Sequence, residues 1–287
     1  MSFFFYALSA LLSYLPRPQA LSLGSVFAGF LYGVFRLSPY RHHAEPIIRG
    51  AFPESTRAEQ RHLFREHTRR LVWSIVDFLR FARFTQRKHR GLIPREIEIE
   101  GQQHYLEALA RGKGVILVSA HFGCWEWIPA VSALRGDPTQ VMVQKPSDPV
   151  MDRLFCRFRA FAGVHTVNND SRTGLKQVIR ALRAGEVVGL VIDQHGESQQ
   201  MMGTFFGHRV SFPTGPAAFA RLTGAAVVPV FVRWRGTQHQ LSYFPAHYLT
   251  PDQDPQAFTQ GLYDIIEQQI RRYPANWLWT YNRWDKL

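Results

Sequence analysis

Five short apolar runs constrain the fold most: Ile97 to Ile99, Val115 to Ser119, Gln140 to Val143, Val187 to Ile192 and Val227 to Val232. Runs of this length, rich in β-branched residues and lacking strict polar alternation, read as strands covered on both faces. Between most of them lie helical patterns, at Leu106 to Arg111, Met151 to Ala162, Thr173 to Ala184 and Pro216 to Leu222. Several of these end on a glycine suited to a helix C-cap: Gly112, Gly163, Gly185 and Gly224. Thr214-Gly-Pro216 reads as the start of the last one, with Thr214 as N-cap. A strand–helix rhythm of this kind predicts an α/β protein, a mostly parallel sheet flanked by helices.

In such sheets, functional side chains gather beyond the C-terminal ends of the strands. Two ionisable residues stand there. His121 follows the strand Val115 to Ser119, and Asp193 follows Val187 to Ile192. Five residues after His121 comes Glu126, with Gly123 between them and Pro129 beyond. Residues five apart on a helix face different ways, so the pair works together only if His121 sits in the turn, with a helix beginning near Trp125. One reading of the pair is a general base and its orienter: a neutral imidazole accepts a proton from an alcohol while Glu126 fixes its tautomer. The other is a histidine at a strand end and a first-turn glutamate favoured by the helix dipole.

The N-terminus contains two uncharged runs, Phe3 to Leu15 and Ala20 to Phe35, separated by Pro16-Arg-Pro18. Neither reaches the roughly 20 residues that span a bilayer, and no basic residue precedes the first as a signal peptide requires. Arg17, Arg36 and Arg41 flank the runs as interface anchors would. Residues 1–38 are therefore expected to form a membrane-associated helical segment, with the remaining domain over 39–287. A capping box, Thr56 to Glu59, opens a long helical pattern from Arg57 to Phe84. It carries an apolar face and an arginine face of Arg61, Arg65, Arg69, Arg80 and Arg83, which suits either solvent or an anionic membrane. A loop is expected at Arg87 to Arg90, and the aromatic tail Pro274 to Trp284 reads as an extended segment with Trp277 and Trp279 packed in the core.

The formal charge is +12, nearly all of the basic side being arginine. That favours phosphates, anionic lipid or an acidic protein. Nucleic acid is not expected, since no zinc-finger spacing, recognition helix or single-strand motif is present. The two cysteines, Cys124 and Cys156, are too few for a disulfide framework and fit a reducing compartment. No histidine or cysteine spacing suggests a metal site.

In order along the chain come Arg49-Gly-Ala-Phe-Pro53, the His121-x-x-x-x-Glu126 box, Asp148-Pro-Val-Met-Asp-Arg153 with Arg157, Arg159 and Gly163, then Asp193-Gln194 and Phe205-Phe-Gly207. They are followed by Gly215-Pro-Ala217 to Gly224-Ala225, Val228-Pro229, and Asn276-Trp-Leu-Trp279 with Arg283. In this order the chain resembles the late acyltransferases of lipid A synthesis, the lauroyl and myristoyl transferases, and their relatives that acylate phosphatidylinositol mannosides. Each motif is short, and their shared order carries the resemblance. It implies a glycerol-phosphate-acyltransferase-like fold on the cytoplasmic face of the inner (plasma) membrane. The reaction it implies moves a fatty acyl chain from acyl carrier protein or acyl-CoA to a hydroxyl of a glycolipid, most simply a lipid A precursor. The acyl thioester is a co-substrate, and no cofactor or metal is implied. On this resemblance His121 is the general base and Glu126 its partner. Arg159 binds acceptor phosphate or stabilises the oxyanion, and Asp193 and Gln194 belong to the same substrate cleft. Acyl carrier protein, anionic membrane lipid and the glycolipid acceptor are the implied partners.

Three other readings remain at this point. The acceptor is a different lipid, such as a phosphatidylinositol mannoside or a lysophospholipid. Or the chain is a thioesterase or lipid hydrolase with Cys124 as nucleophile beside His121. Or it is a non-catalytic scaffold gripping anionic lipid through its arginines.

Overall fold

β2 (Val115–Ser119), five buried residues in succession, lies at the centre of a seven-stranded sheet. With β1 (Ile97–Glu100), β3 (Thr139–Val143), β4 (Val164–Asn168), β5 (Val187–Val191), β8 (Ala226–Arg235) and β9 (Gln238–Tyr243), the order is β1-β9-β8-β2-β5-β3-β4. Strands β8, β2, β5, β3 and β4 are mutually parallel, and the β8–β9 hairpin reverses direction so that β9 and β1 run against them. A separate hairpin pairs β6 (Met202–Phe205) with β7 (His208–Ser211). The structure is a computed structural model describing residues 2–38, 41–86, 89, 91–169, 172–194, 201–281 and 283.

Side chains alternate across the pleat, and β2 divides the core accordingly. Val115 and Leu117 enter one hydrophobic cluster, and Ile116 and Val118 the other. The first cluster is covered by α1 (Ser2–Tyr14), α2 (Arg17–Leu37), α4 (Arg57–Leu79), α5 (Gln102–Ala110), α6 (Trp127–Leu134) and α7 (Pro149–Phe161). The second is covered by α3 (Arg41–Ala51), α8 (Arg172–Arg183), α9 (Gly215–Thr223), α10 (Pro255–Arg272) and the C-terminal tryptophans. This is the α/β class expected from the apolar runs.

Several local expectations hold. The four glycines expected at helix ends have φ between +65° and +85°, and the Thr56–Glu59 capping box is reciprocal: Thr56 N–H donates to Glu59 Oε2 (2.7 Å) and Glu59 N–H to Thr56 Oγ1 (3.2 Å). Others need correction. Thr214 precedes α9 but makes no side-chain cap, because its backbone is already helical. The long helical pattern breaks at Leu79 into a 3-10 segment, Arg80–Thr85. Strands β4 and β9, the β6–β7 hairpin and α10 escape a reading based on apolar runs, since β4 and β9 carry more polar than apolar residues and the hairpin strands are only four residues long. Of the loop expected at Arg87 to Arg90 only His89 lies within the described residues, and Trp284 lies outside them.

The N-terminal segment departs most from its sequence reading. Pro18 starts α2 instead of only breaking the chain, which makes α2 a 21-residue helix, long and apolar enough to cross a membrane by length and composition. It is not a free helix, however. Gly24 lies against Val76 and Trp73 of α4, and the Trp73 indole N–H donates to Leu21 O (3.0 Å) and Ser25 Oγ (2.9 Å). Arg17, expected to face the membrane interface, instead donates from Nε and Nη2 to the buried Asp77 (3.1 and 2.7 Å). Asp77 also accepts from His239 Nε2 (2.7 Å). Burial pushes its carboxyl up, but His239 and Arg17 outweigh this and hold it down at about 2. Arg80, at the end of α4, donates to the carbonyls of Leu12 and Leu15, closing the C-terminus of α1. The outer side of the pair stays apolar and exposed, with Leu11 and Tyr14 on α1 and Val26, Phe27, Phe30, Val34 and Leu37 on α2.

Candidate active site

Strands β2 and β5 are adjacent and parallel, with Ser119 paired in register with Val191. Two residues further along each chain stand His121 and Asp193. Neighbouring strands lie about 4.8 Å apart, so this register brings the two side chains within reach despite the 72 residues between them. The imidazole Nδ1–H donates to Asp193 Oδ1 at 2.8 Å. Asp193 is buried, and its other oxygen accepts the indole N–H of Trp277 at 2.7 Å. Burial alone would raise this carboxyl. The facing His121 and the hydrogen bonds from His121 and Trp277 outweigh it and hold the group below its ordinary range. His121 Nε2 makes no hydrogen bond among the described residues, and the side chain is 21% exposed. That leaves one nitrogen directed by an ionised carboxylate and the other available to a substrate.

The turn after β2 is held by the C-terminal segment. Leu278 N–H donates to His121 O (3.0 Å), Phe122 bridges Trp277, and Gly123 N–H donates to Asn276 O (2.8 Å). Asn276 Oδ1 in turn accepts Trp234 N–H of β8 (2.9 Å). Gly123 has φ +58°, and a Cβ there would lie 1.8 Å from Val232 O, so this turn needs glycine on both counts. The tail is thus a structural wall of the site. Trp277 and Trp279 are buried in the core as expected, although the segment begins as a short 3-10 turn, Pro274–Asn276, and forms an isolated bridge at Trp277 rather than a strand among the described residues.

Glu126 makes no hydrogen bond to His121 among the described residues. It stands at the N-cap of α6, which starts at Trp127, and its carboxylate accepts a bidentate pair from Arg159 of α7, Nε to Oε2 (2.8 Å) and Nη2 to Oε1 (2.7 Å). The turn at Gly123 separates the two side chains, and Trp125 places its ring edge-on to the imidazole at 4.9 Å instead. Both members of the ion pair are nearly buried, at 12% and 11% exposure. Burial would lower the Arg159 pKa, and Glu126 more than compensates, so the guanidinium stays charged. Gln194 follows Asp193 and is half-buried. The four charged residues singled out in the sequence therefore form two pairs, His121–Asp193 and Glu126–Arg159.

Three residues of α4 that were not singled out as site residues complete the site. His67, Arg70 and Leu71 line a shallow hollow over His121, together with Trp125 and Leu278. Arg70 makes no ion pair among the described residues. Burial lowers its pKa, opposed by Glu66. His67 is buried, which pulls it down to about 4 against a hydrogen bond with the Trp277 backbone that favours the charged form. Nothing in a helix with four other arginines distinguishes Arg70 in the sequence.

Cys124 does not face the hollow. It is buried, donates toward Ser74 O at 3.5 Å, and burial raises its thiol well above the ordinary value. A neutral, enclosed thiol is a poor nucleophile, which sets aside the thioesterase reading based on it.

A family model described as bacterial lipid A biosynthesis acyltransferase matches residues 1–286. Among curated relatives, the phosphatidylinositol mannoside acyltransferase of Mycobacterium tuberculosis (strain CDC 1551 / Oshkosh) is 28% identical over 188 residues, 65% of this chain and 59% of that protein. The lipid A biosynthesis lauroyltransferase of Escherichia coli (strain K12) is 28% identical over 196 residues, 67% of this chain and 62% of that protein. The lipid A biosynthesis palmitoleoyltransferase of the same strain is 24% identical over 253 residues, 85% of this chain and 80% of that protein. Among solved structures, the 1-acyl-sn-glycerophosphate acyltransferase PlsC from Thermotoga maritima aligns over 91% of this chain and all of that one, at 12% identity and a TM-score of 0.42.

Proposed function

The chain belongs to the bacterial lipid A biosynthesis acyltransferase family, and we propose that it transfers a fatty acyl group from a thioester to a hydroxyl of a glycolipid. The observation that carries this reading is the His121–Asp193 pair at the ends of β2 and β5. With Nδ1–H held by Asp193, Nε2 takes the proton of the acceptor hydroxyl as the oxygen attacks the thioester carbonyl. Negative charge then develops on the carbonyl oxygen, and Arg70, at the rim of the same hollow, is placed to stabilise it. Collapse of the tetrahedral species expels the thiol, which recovers the proton from His121. In this reading Arg159 is committed to Glu126, and that pair fixes the start of α6 and the end of α7 beside the site.

The donor is acyl carrier protein or acyl-CoA, and the charge of +12 suits the acidic carrier by steering it. The acceptor is a lipid A precursor, with a phosphatidylinositol mannoside as the second reading, since the chain is 28% identical both to the mycobacterial enzyme and to the lauroyltransferase. The protein lies on the membrane surface. α2 is about 31 Å long at 1.5 Å per residue, enough to span, but α4 packs along it carrying Arg57, Arg61 and Arg65. Crossing would drag these charges into hydrocarbon. The exposed apolar side of α1 and α2 instead enters the interface while the site stays at the headgroup level. Two free cysteines suit the reducing, cytoplasmic face.

The test is acyl transfer by the purified chain in detergent micelles, with acyl carrier protein or coenzyme A thioesters offered to a lipid A precursor and to a phosphatidylinositol mannoside. Transfer to one of them that disappears in His121→Ala, with unfolding unchanged, supports the proposal. Transfer at wild-type level in that variant overturns it.

A further inference from the structure

The arginines near α4 divide into two groups. Arg17, Arg80, Arg83 and Arg159 are committed to carboxylates or carbonyls. Arg36, Arg49, Arg57 and Arg61 are not: all four are exposed, and among the described residues none makes an ion pair. They line one concavity, formed by two adjoining hollows that share Glu45, Gln60 and Arg61 between α2, α3 and α4. Both hollows are open to solvent. Four guanidinium groups around a cleft with Glu45 as its one acid make a site for a multiply charged anion, and the planar fork of arginine suits phosphate in particular.

Two neighbouring features select the source of that phosphate. Arg36 lies in the last turn of α2, between Val34 and Leu37, both exposed on the apolar outer side of the helix. A phosphate held there has an acyl-compatible surface within one turn. At the other end the cleft reaches Phe64, whose ring contacts that of His67 (5.9 Å between centroids), and His67 lines the hollow over His121. From Arg61 to Arg70 is about 14 Å along the helix. We propose that this cleft is the headgroup site for a phosphate-bearing membrane lipid. That the lipid held there is the acyl acceptor rests on the function proposed above; that the cleft takes a lipid phosphate does not.

The experiment measures binding of the full chain to phosphatidylcholine vesicles with and without phosphatidic acid, with inorganic phosphate as competitor. It compares wild type, Arg57→Gln/Arg61→Gln, and an equally charged control on other surfaces, Arg209→Gln/Arg235→Gln. Each arginine at an anionic surface contributes about 1 kcal/mol. The cleft variant should therefore lose more than about tenfold in affinity for phosphatidic acid vesicles, with the control near wild type. Equal losses in both variants would mean diffuse charge and overturn the proposal. So would unchanged vesicle binding, whether the cleft variant instead loses inorganic phosphate or acyl carrier protein. In the transfer assay, the cleft variant should raise KM for the acceptor with kcat little changed. If wild type transfers nothing, the proposed function fails while vesicle binding still decides the cleft.

Discussion

His121 and Asp193 hold each other across 2.8 Å from the ends of two parallel strands, and the register Ser119–Val191 puts them there. The direction of the His121 imidazole is thus set by the register of the sheet, while the Glu126 carboxylate, in the turn beyond, is held by Arg159. The Trp277 indole fills the second oxygen of Asp193, so the carboxylate has one direction left in which to act.

Asp193→Asn keeps the shape but removes the charge and the fixed tautomer. Turnover should fall by roughly 10² to 10⁴-fold with KM for the acceptor little changed. Glu126→Gln, if Glu126 were the orienter, would show the same signature. Here it should instead lower thermal stability, and steady-state kinetics beside melting curves for the two variants separate the roles.

The Glu126–Arg159 pair is bidentate and nearly buried. Removing one partner strands the other, at a cost of about 3 to 5 kcal/mol. Arg159→Met and Glu126→Gln should each be strongly destabilised, and the double variant less so than the sum. Additive losses in urea titrations would show that the two residues are not coupled.

Much of this arrangement was legible in the sequence. The apolar runs gave the central strands, and strand-end position identified both His121 and Asp193. Their partnership was not legible, because spacing along the chain pointed to Glu126 while the contact depends on which strands are neighbours. Arg17 shows the same limit: it flanks an apolar run as an anchor would, yet its partner Asp77 is 60 residues away. Arg70 and His67 carry no local signature and become site residues only when α4 packs across the end of the sheet.

Gly123→Ala should be far costlier than another glycine change at positive φ. At Gly207, φ is +77° and no atom lies within 4 Å of an added Cβ, so Gly207→Ala should cost only the left-handed penalty of about 1 to 2 kcal/mol. At Gly123 the same penalty is joined by a collision with Val232 O that moves β8 or the His121 turn. The expected result is loss of soluble protein, or a fall in stability above about 4 kcal/mol. Comparable melting temperatures for the two variants would show that the turn can relax.

His67 makes stability depend on pH in the range where histidines titrate. Buried and neutral, it sits at about 4 against an ordinary value of 6.5, and burial also pulls His239 down. Above pH 6.5 both states are unprotonated and the linkage contributes nothing against the fold. As pH falls from 6.5 toward 4, the unfolded chain binds protons that the folded chain refuses, so stability declines across that window. For His67 alone the full loss is roughly 3 kcal/mol. Asp77 and Asp193, both held below the ordinary carboxylate range, add their losses at lower pH. His67→Asn keeps a donor for the Trp277 backbone but cannot titrate. Urea unfolding at pH 7.5 and pH 5 should show a smaller drop for this variant than for wild type, and equal drops would place the pH dependence on other groups.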